Sequence, residues 1–153
     1  MASDKTGRIV LMPILPRFAN AILTGEKRVE FRKWRFSLDV REAVIYATSP
    51  VCRILGYFQV KYITVGTPDE LWLKYHCYGG IGRGEFNTYY EGTSKAVALV
   101  VGVVTALNNP LRLTSLDPDL AAPQSFKYLS DSMFESIKTL AYAPPPDSSL
   151  RSE

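Results

Sequence analysis

The sequence predicts a mainly β, α+β protein, built as a small mixed β-barrel with short helices at its periphery. Two observations carry this prediction. Ala96–Leu107 is an almost continuous aliphatic run, which is typical of a strand buried on both faces or of a barrel wall. The predicted helices are also few and short, so they do not alternate with strands as the repeated βαβ units of a parallel sheet require.

The first elements are a strand, a helix and a second strand. Ile9–Met12 is an apolar run too short for a helix, and prolines follow it, so we interpret it as a buried strand. Pro16 suits the first turn of a helix and Gly25 suits its C-terminal cap, which predicts a helix at Pro16–Thr24. After Gly25 the period changes to two, and Val29–Lys33 therefore predicts a strand with one apolar and one charged face.

The middle of the chain predicts two more strands and a capped helix. Glu42–Ala47 is a short apolar strand, and Cys52–Val65 is a longer one with Gly56 at a bulge or close approach. Thr67 is the expected N-cap of a helix at Pro68–Tyr75. Two acidic residues in the first turn of that helix favour the positive end of its dipole.

The last third of the chain begins with a glycine-rich segment. Gly79–Gly84 has four glycines in six residues but lacks the GxxxxGK[ST] pattern of a phosphate loop, so we interpret it as a mobile connection. A helix at Glu85–Glu91, the strand at Ala96–Leu107, a short strand and a helix at Asp131–Leu140 follow. Residues 141–153 are rich in proline and serine and predict a disordered tail, which leaves residues 1–140 as a single domain.

Composition limits the class of protein. With 153 residues, 46% hydrophobic and 22% charged, the chain fits one globular domain. Cys52, Cys77 and the single histidine His76 are too few for a standard structural zinc site, so we expect no metal, no cofactor and free thiols. No apolar run approaches the roughly 18 residues of a membrane helix, and the N-terminus lacks the apolar core of a signal peptide. We expect a cytoplasmic monomer or weak dimer without membrane contact.

Positive charge is concentrated in one part of the sequence. Between Arg17 and Arg41 there are seven basic and three acidic residues, a net charge of +4, whereas the whole chain carries +3. The rest of the chain is therefore close to neutral. A local positive field of this kind is typical of a patch that meets an anion such as a phosphate.

Strand parity predicts which residues of this run act together. Lys27 lies at the end of the first helix. Four residues of the run point to one face of the following strand, namely Arg28, Glu30, Arg32 and Trp34. Glu30, flanked by two guanidiniums, is expected to stay ionised and to orient Arg32 toward a planar anion or a base edge. Lys27 adds a point charge to the same ligand, and Trp34 or Tyr46 is the expected stacking platform. The alternative is a structural ion pair between Glu30 and Arg32 at the barrel mouth.

The segment from Pro16 to Trp34, with its core Gly25-x-Lys27-x-x-Glu30-x-Arg32, resembles the signature of ASCH domains, members of the PUA-like β-barrel superfamily. The resemblance covers most of the chain from Ile9 to Leu129. It implies a PUA-like mixed β-barrel that binds RNA or a nucleotide-like ligand in a cleft beside the barrel. It also implies distant partners at Ser49, Tyr90 and Ser125, of which Ser49 and Ser125 are expected to bind the ligand. The similar segments beyond the signature are Ile45–Pro50, Ile54–Phe58, Glu85–Gly92 and Pro123–Leu129.

Some small relatives of this kind are hydrolases. Those that act on acetylated cytidine use a lysine, a threonine three residues later and a distant glutamate. Lys27 matches the lysine, but Glu30 stands at the threonine position, and a carboxylate does not replace a hydroxyl nucleophile in amide cleavage. Other relatives are associated with RNA cleavage. We expect an RNA-binding or modified-nucleotide-binding protein with a basic cleft. The alternative is a small hydrolase of the ribonuclease or amidohydrolase type, in which Lys27 and Glu30 are catalytic.

Overall fold

The computed structural model describes residues 7–33 and 37–141. Within these residues, short helices surround one six-stranded sheet with the strand order β2-β5-β4-β3-β1-β6. The predicted α+β fold, dominated by a mixed sheet with short helices, is confirmed. The elements in chain order are β1 (Arg8–Ile14), α1 (Pro16–Thr24), β2 (Val29–Lys33), β3 (Val40–Ala47), β4 (Arg53–Gly66), α2 (Pro68–Tyr75), α3 (Arg83–Tyr89), β5 (Ala96–Leu111), β6 (Lys127–Leu129) and α4 (Asp131–Ala141).

Local signals set both ends of the first two helices. Pro16 occupies the first turn of α1, and Gly25 ends the helix with φ +90°, a left-handed conformation that glycine adopts at little cost. Thr67 caps α2: its hydroxyl accepts from the Glu70 N–H at 3.1 Å, and the Glu70 carboxylate accepts from the Thr67 N–H at 2.9 Å. The predicted bounds of both helices are confirmed.

The observed bounds of β5 and α3 differ from the predicted ones, because sheet pairing and helix context outweigh local composition there. The strand β5 continues four residues past Leu107, because Leu111 still pairs with Ile54 of β4. The helix α3 begins at Arg83 and ends at Tyr89, two residues earlier at each end than predicted. None of the helices in the described ranges is both long enough and apolar enough to span a membrane.

The sheet is mixed and contains a bulge near Gly56. β1 runs parallel to β3, whereas the other paired strands are antiparallel. The pairing of β3 with β4 shifts register between Ile45 and Tyr46, and the pairing of β4 with β5 shifts between Ile54 and Gly56. A Cβ atom on Gly56 would overlap the Thr105 carbonyl of β5. The predicted close approach at Gly56 is confirmed.

The sheet is not closed into a barrel. β2 and β6 are its two edges, with five and three residues, and no ladder joins them in the described residues. Hydrogen bonds between side chains and backbone connect the two edges and the segments next to them instead. Arg32 of β2 donates to the Ser125 carbonyl at 2.8 Å, and the Ser37 N–H donates to the Tyr128 hydroxyl of β6 at 2.7 Å. The predicted barrel is therefore open along a seam between β2 and β6, which individual hydrogen bonds bridge.

Helices cover the sheet on both sides and form three apolar clusters. α4 covers one face, α1 covers the other, and α2 with α3 packs over β2 and β5. Burial of large apolar side chains, worth about 1.5–3 kcal/mol each, holds these layers together. Representative members are Leu11, Tyr46 and Phe134 under α4, Met12, Ile22 and Phe58 under α1, and Phe31, Leu71 and Phe86 under α2 and α3.

Candidate functional site

A pocket of about 530 Å³ opens beside β2, within the size range of small-molecule sites. It lies between β2, the start of α1, α3 and the segment that leads into β6. Five aromatic side chains contribute to its lining, namely Phe18, Phe31, Phe86, Tyr89 and Phe126. The charged and polar lining residues are Lys27, Glu30, Arg32, Lys33, Thr48, Glu85, Gln124 and Ser125.

Three charged side chains, Lys27, Glu30 and Arg32, form what we call the floor triad. Lys27 Nζ lies 3.6 Å from Glu30 Oε1, and Arg32 donates to Glu30 Oε2 at 3.2 Å. The exposed fractions of the three side chains are 3%, 6% and 16%. Removing charges from water at this depth is costly unless each is paired, which accounts for the close contact of the three.

Lys27 is enclosed by carbonyl and aromatic groups as well as by Glu30. Its ammonium donates to the Gly79 carbonyl and lies 5.0 and 5.6 Å from the ring centroids of Phe18 and Phe31. Burial lowers the pKa of Lys27 below its ordinary value, and the charge of Glu30 opposes part of that shift. The lysine therefore loses its proton more readily than a lysine in water.

The glycine-rich segment packs against the floor triad, which is a different role from the predicted mobile connection. A Cβ atom at Gly79 would overlap the Phe31 ring, and one at Gly80 would lie 3.0 Å from Lys27 Cβ. Gly80 also has φ +63°, in the left-handed region. These two glycines let the backbone approach closely enough for the Gly79 carbonyl to accept from Lys27.

Arg32 is held by backbone carbonyls in addition to Glu30. One of its terminal nitrogens donates to the Pro13 carbonyl at 3.2 Å and the other to the Ser125 carbonyl at 2.8 Å. The guanidinium thus joins β2 to the end of β1 and to the segment before β6. These contacts match the structural ion pair between Glu30 and Arg32 that the sequence left as an alternative. Arg32 also lines the pocket.

The predicted ligand residues fall into two groups. Lys27, Glu30, Arg32 and Ser125 come together at the pocket. Arg28 does not join them: its side chain is exposed, and Lys27 is the second cation beside Glu30, so the prediction of a carboxylate between two guanidiniums is wrong. An exposed guanidinium keeps its hydration, whereas the lysine stem packs between rings.

Tyr46 and Ser49 do not line the pocket. Tyr46 is 7% exposed and packs in the cluster under α4, because the parity of β3 directs it with Val44 to that face. Ser49 is exposed in the turn that follows β3, and its neighbour Thr48 lines the pocket instead. Trp34 lies outside the described residues.

Sequence reasoning missed the aromatic walls of the pocket. Phe18 projects from α1, Phe126 from the segment before β6, and Phe86 and Tyr89 from α3. Phe31 and Phe86 meet edge to face, with their centroids 5.0 Å apart. Spacing within α3 places Phe86 and Tyr89 on one side, but only the fold brings that helix to Phe18 and Phe126.

Charge in the pocket is nearly balanced. Its described lining contains three cations, Lys27, Arg32 and Lys33, and two carboxylates, Glu30 and Glu85. Across the described ranges, no group of three or more His, Cys, Asp or Glu side chains is placed to hold a metal ion. Because two of the cations are already bound to carboxylate and carbonyl oxygens, the chemistry available at the floor is hydrogen bonding and stacking more than attraction of an anion.

Comparisons with known proteins agree with this architecture. The chain is 30% identical over 138 residues to a protein of Zymomonas mobilis named "ASCH domain-containing ribonuclease", covering 85% of this chain and 90% of that one. It is also 29% identical over 127 residues to a large ribosomal subunit protein uL22 of Ureaplasma parvum, of which it spans 40%.

Solved structures share the fold. The crystal structure of an ASCH protein from Zymomonas mobilis matches with a TM-score of 0.80 and 28% identity, covering 87% of this chain and 95% of that one. Human THYN1, in complex with DNA containing 5-methylcytosine, matches with a TM-score of 0.53 and 14% identity over 90% of this chain and 99% of that one, a likeness of fold alone. The family model of the ASCH domain matches residues 12–109, and the chain belongs to the ASCH domain family.

Proposed function

We propose that this protein binds single-stranded RNA or a nucleotide-like ligand, with one base inserted between the aromatic walls of the pocket. The observation that carries the proposal is the pocket itself, about 530 Å³ in volume and lined by five aromatic side chains from four parts of the chain. Every nucleic-acid base has a planar face that can stack on an aromatic ring, so stacking does not depend on which base is bound. Such stacking contributes about 1–3 kcal/mol per base. A slot lined by aromatic rings suits a base better than it suits a charged backbone.

The floor triad supplies polar groups for the edge of that base. Glu30 offers carboxylate oxygens that accept hydrogen bonds, and Lys27 and Arg32 offer donors. Because each of these groups already has a protein partner, a ligand would share their hydrogen bonds. We propose that this arrangement selects one base edge, because a mismatched base would set donor against donor or acceptor against acceptor at these groups.

Stacking can be tested by removing the ring of Tyr89 while keeping an apolar side chain. We expect Tyr89→Leu to weaken binding of a fluorescein-labelled single-stranded RNA about five- to one-hundredfold in an anisotropy titration. Tyr62→Leu is the matched control, because Tyr62 is 52% exposed on β4 and does not line the pocket. Equal affinities for the two variants, or no RNA binding by the wild-type protein, would overturn the proposal.

A second candidate function is cleavage of the bound RNA. The ribonuclease-named relative supports it, since the match extends over most of both chains. Cleavage requires a group that takes the proton of the ribose 2′-hydroxyl while its oxygen attacks phosphorus. It also requires a group that protonates the departing 5′-oxygen as the phosphorus–oxygen bond breaks. We propose Glu30 for the first role and Lys27, whose pKa is lowered by burial, for the second. Cleavage would then need a binding mode in which the phosphate, and not the base, reaches the floor triad.

Cleavage can be separated from binding by Lys27→Arg, which keeps the positive charge but holds its proton at any accessible pH. If Lys27 transfers a proton, this variant loses cleavage of a labelled RNA in EDTA, followed on a gel, and still binds the RNA. Full cleavage by Lys27→Arg would exclude Lys27 from the chemistry. An intact RNA after incubation with the wild-type protein would leave binding as the function.

A further inference from the structure

We propose that Lys33 forms a phosphate subsite at the rim of the pocket, and that Glu85, which also lines the pocket, weakens it. This inference rests on the proposed function, because a base held in the pocket brings its phosphate to the rim. The sequence interpretation placed the phosphate contact on Lys27 and Arg32. The contacts of the pocket residues assign the phosphate contact to Lys33 instead, and they assign the opposing role to Glu85.

The floor cations have little capacity left for a phosphate. Lys27 is bound to Glu30 and to the Gly79 carbonyl, and its side chain is 3% exposed. Arg32 is bound to Glu30, to the Pro13 carbonyl and to the Ser125 carbonyl. A phosphate at the floor would have to displace these acceptors and lose its own hydration in an aromatic slot.

Lys33 is in a different situation. It is the last residue of β2, it lines the pocket, and it is half-buried. No ion pair joins it to a carboxylate in the described parts of the chain, and its ammonium lies 5.1 Å from the centroid of the Tyr89 ring. The Lys33 N–H also donates to the Tyr89 hydroxyl at 3.2 Å, which fixes the ring beside the lysine. A base bound in the pocket beside Tyr89 would therefore bring its phosphate within reach of this ammonium.

The rim also carries a negative charge. Glu85 of α3 lines the pocket, and its carboxylate pairs with Arg17 of α1. The side chains of both residues are substantially exposed, at 40% and 59%, so the pair is at the surface and not in the core. The Arg17 guanidinium lies 4.2 Å from the centroid of Phe18, a wall residue. A phosphate at the rim would be repelled by Glu85 and would compete with it for Arg17.

We therefore expect substitutions of Lys33 and Glu85 to change the affinity for RNA in opposite directions. Lys33→Gln removes the attractive charge and is expected to weaken binding about three- to tenfold at low salt. The same change should reduce the slope of log affinity against log salt by about 0.7, the value for one phosphate contact on a single strand. Glu85→Gln removes the repulsive charge and frees Arg17, so it is expected to strengthen binding by a similar factor.

The test is an anisotropy titration of a fluorescein-labelled single-stranded RNA against wild-type protein, Lys33→Gln, Glu85→Gln and Lys61→Gln at several salt concentrations. Lys61 is the matched control, because it is an exposed lysine on β4 that does not line the pocket. Circular dichroism checks that each variant is folded. Weaker binding with a smaller salt slope for Lys33→Gln alone, and tighter binding for Glu85→Gln, are the expected results.

The outcomes separate this inference from the proposed function. If the wild-type protein binds no RNA, the proposed function fails and the subsite fails with it. If the wild-type protein binds RNA but Lys33→Gln matches Lys61→Gln in affinity and salt slope, the phosphate subsite is wrong and base binding stands. If Glu85→Gln weakens binding, the opposing role of Glu85 is wrong.

Discussion

Replacing Glu30 with glutamine would remove the carboxylate that holds the floor triad together. Lys27 and Arg32 would then face each other without an anion between them, and the Lys27 side chain is only 3% exposed. A buried charge that loses its partner keeps the full cost of its desolvation. We therefore expect Glu30→Gln to lower the free energy of unfolding, although the new side chain has almost the same shape.

The size of the effect follows from the depth of the triad. Removing one member of a buried ion pair costs about 3–5 kcal/mol, and the amide oxygen can still accept from Arg32, so about 3 kcal/mol is the better value. For a domain of this length, each kcal/mol shifts the melting temperature by about 2–4 °C, which gives a decrease of about 6–12 °C. With a urea slope of about 2 kcal/mol/M, the unfolding midpoint should fall by about 1.5 M.

The pH dependence of the effect gives a second readout. Lys27 has a lowered pKa in the folded protein, so the unfolded chain binds more protons than the folded one between that pKa and the ordinary lysine value of about 10.4. Stability contributed by Lys27 therefore rises with pH through that window. In Glu30→Gln the lysine lacks its anion, so its pKa falls further and the window widens. The difference between variant and wild type should narrow as pH is raised above neutral.

The experiment measures thermal and urea unfolding of three proteins. They are the wild type, Glu30→Gln, and the double variant that combines Lys27→Met with Glu30→Gln. The double variant also removes the stranded ammonium, so it should recover part of the lost stability. A melting temperature of Glu30→Gln within about 2 °C of wild type would refute the reasoning. So would a double variant that is less stable than Glu30→Gln.

Two further predictions concern stability. Gly79→Ala should destabilise the protein by about 1–3 kcal/mol because the new Cβ would overlap the Phe31 ring, whereas Gly84→Ala, with no atom within 4 Å, should stabilise α3 by up to about 1 kcal/mol. Equal shifts of the two melting temperatures by differential scanning fluorimetry would contradict this packing argument. Burial raises the pKa of Glu42, and Glu42 Oε1 is buried without a hydrogen-bond partner, although Arg41 and Lys138 oppose the shift. Because the pKa of Glu42 is raised in the folded protein, ionising this side chain at a higher pH destabilises the fold. Glu42→Gln should therefore raise the melting temperature by about 2–4 °C at pH 7 and by less at pH 4, where the carboxyl is largely protonated. A gain that is the same at both pH values would show that the charge of Glu42 is not its cause.

Interactions between residues close in sequence were predictable because they need no knowledge of the rest of the fold. The bounds of α1 follow from Pro16 and Gly25, and those of α2 from the capping box of Thr67 and Glu70. Gly56 marked a close approach because an isolated glycine in a strand lacks a side chain that would keep another backbone away. In each of these cases, the residues that determine the structure are a few positions apart in the chain or are a single residue, so the sequence alone shows them.

The candidate site was predictable only in part. Strand parity placed Glu30 and Arg32 on the same face, and they are in contact at 3.2 Å. Parity could not show that this face of an edge strand would be buried against α1, nor that Lys27 would replace Arg28 as the second cation. It also could not show that Tyr46, on a different strand, would face α4. Those outcomes depend on which helix covers which face of the sheet.

The sequence by itself determined the class of fold, the ends of the first two helices and the adjacency of the Glu30 and Arg32 charges, because each depends on periodicity or on short-range hydrogen bonds. Tertiary structure alone decided that the sheet stays open along the seam between β2 and β6. It also decided that Gly79 reaches Lys27 from 52 positions away and that rings from α1, α3 and the segment before β6 enclose one pocket. The physical reason is that such contacts join residues far apart in the chain, so they form only when the burial of three apolar clusters has set the positions of the helices.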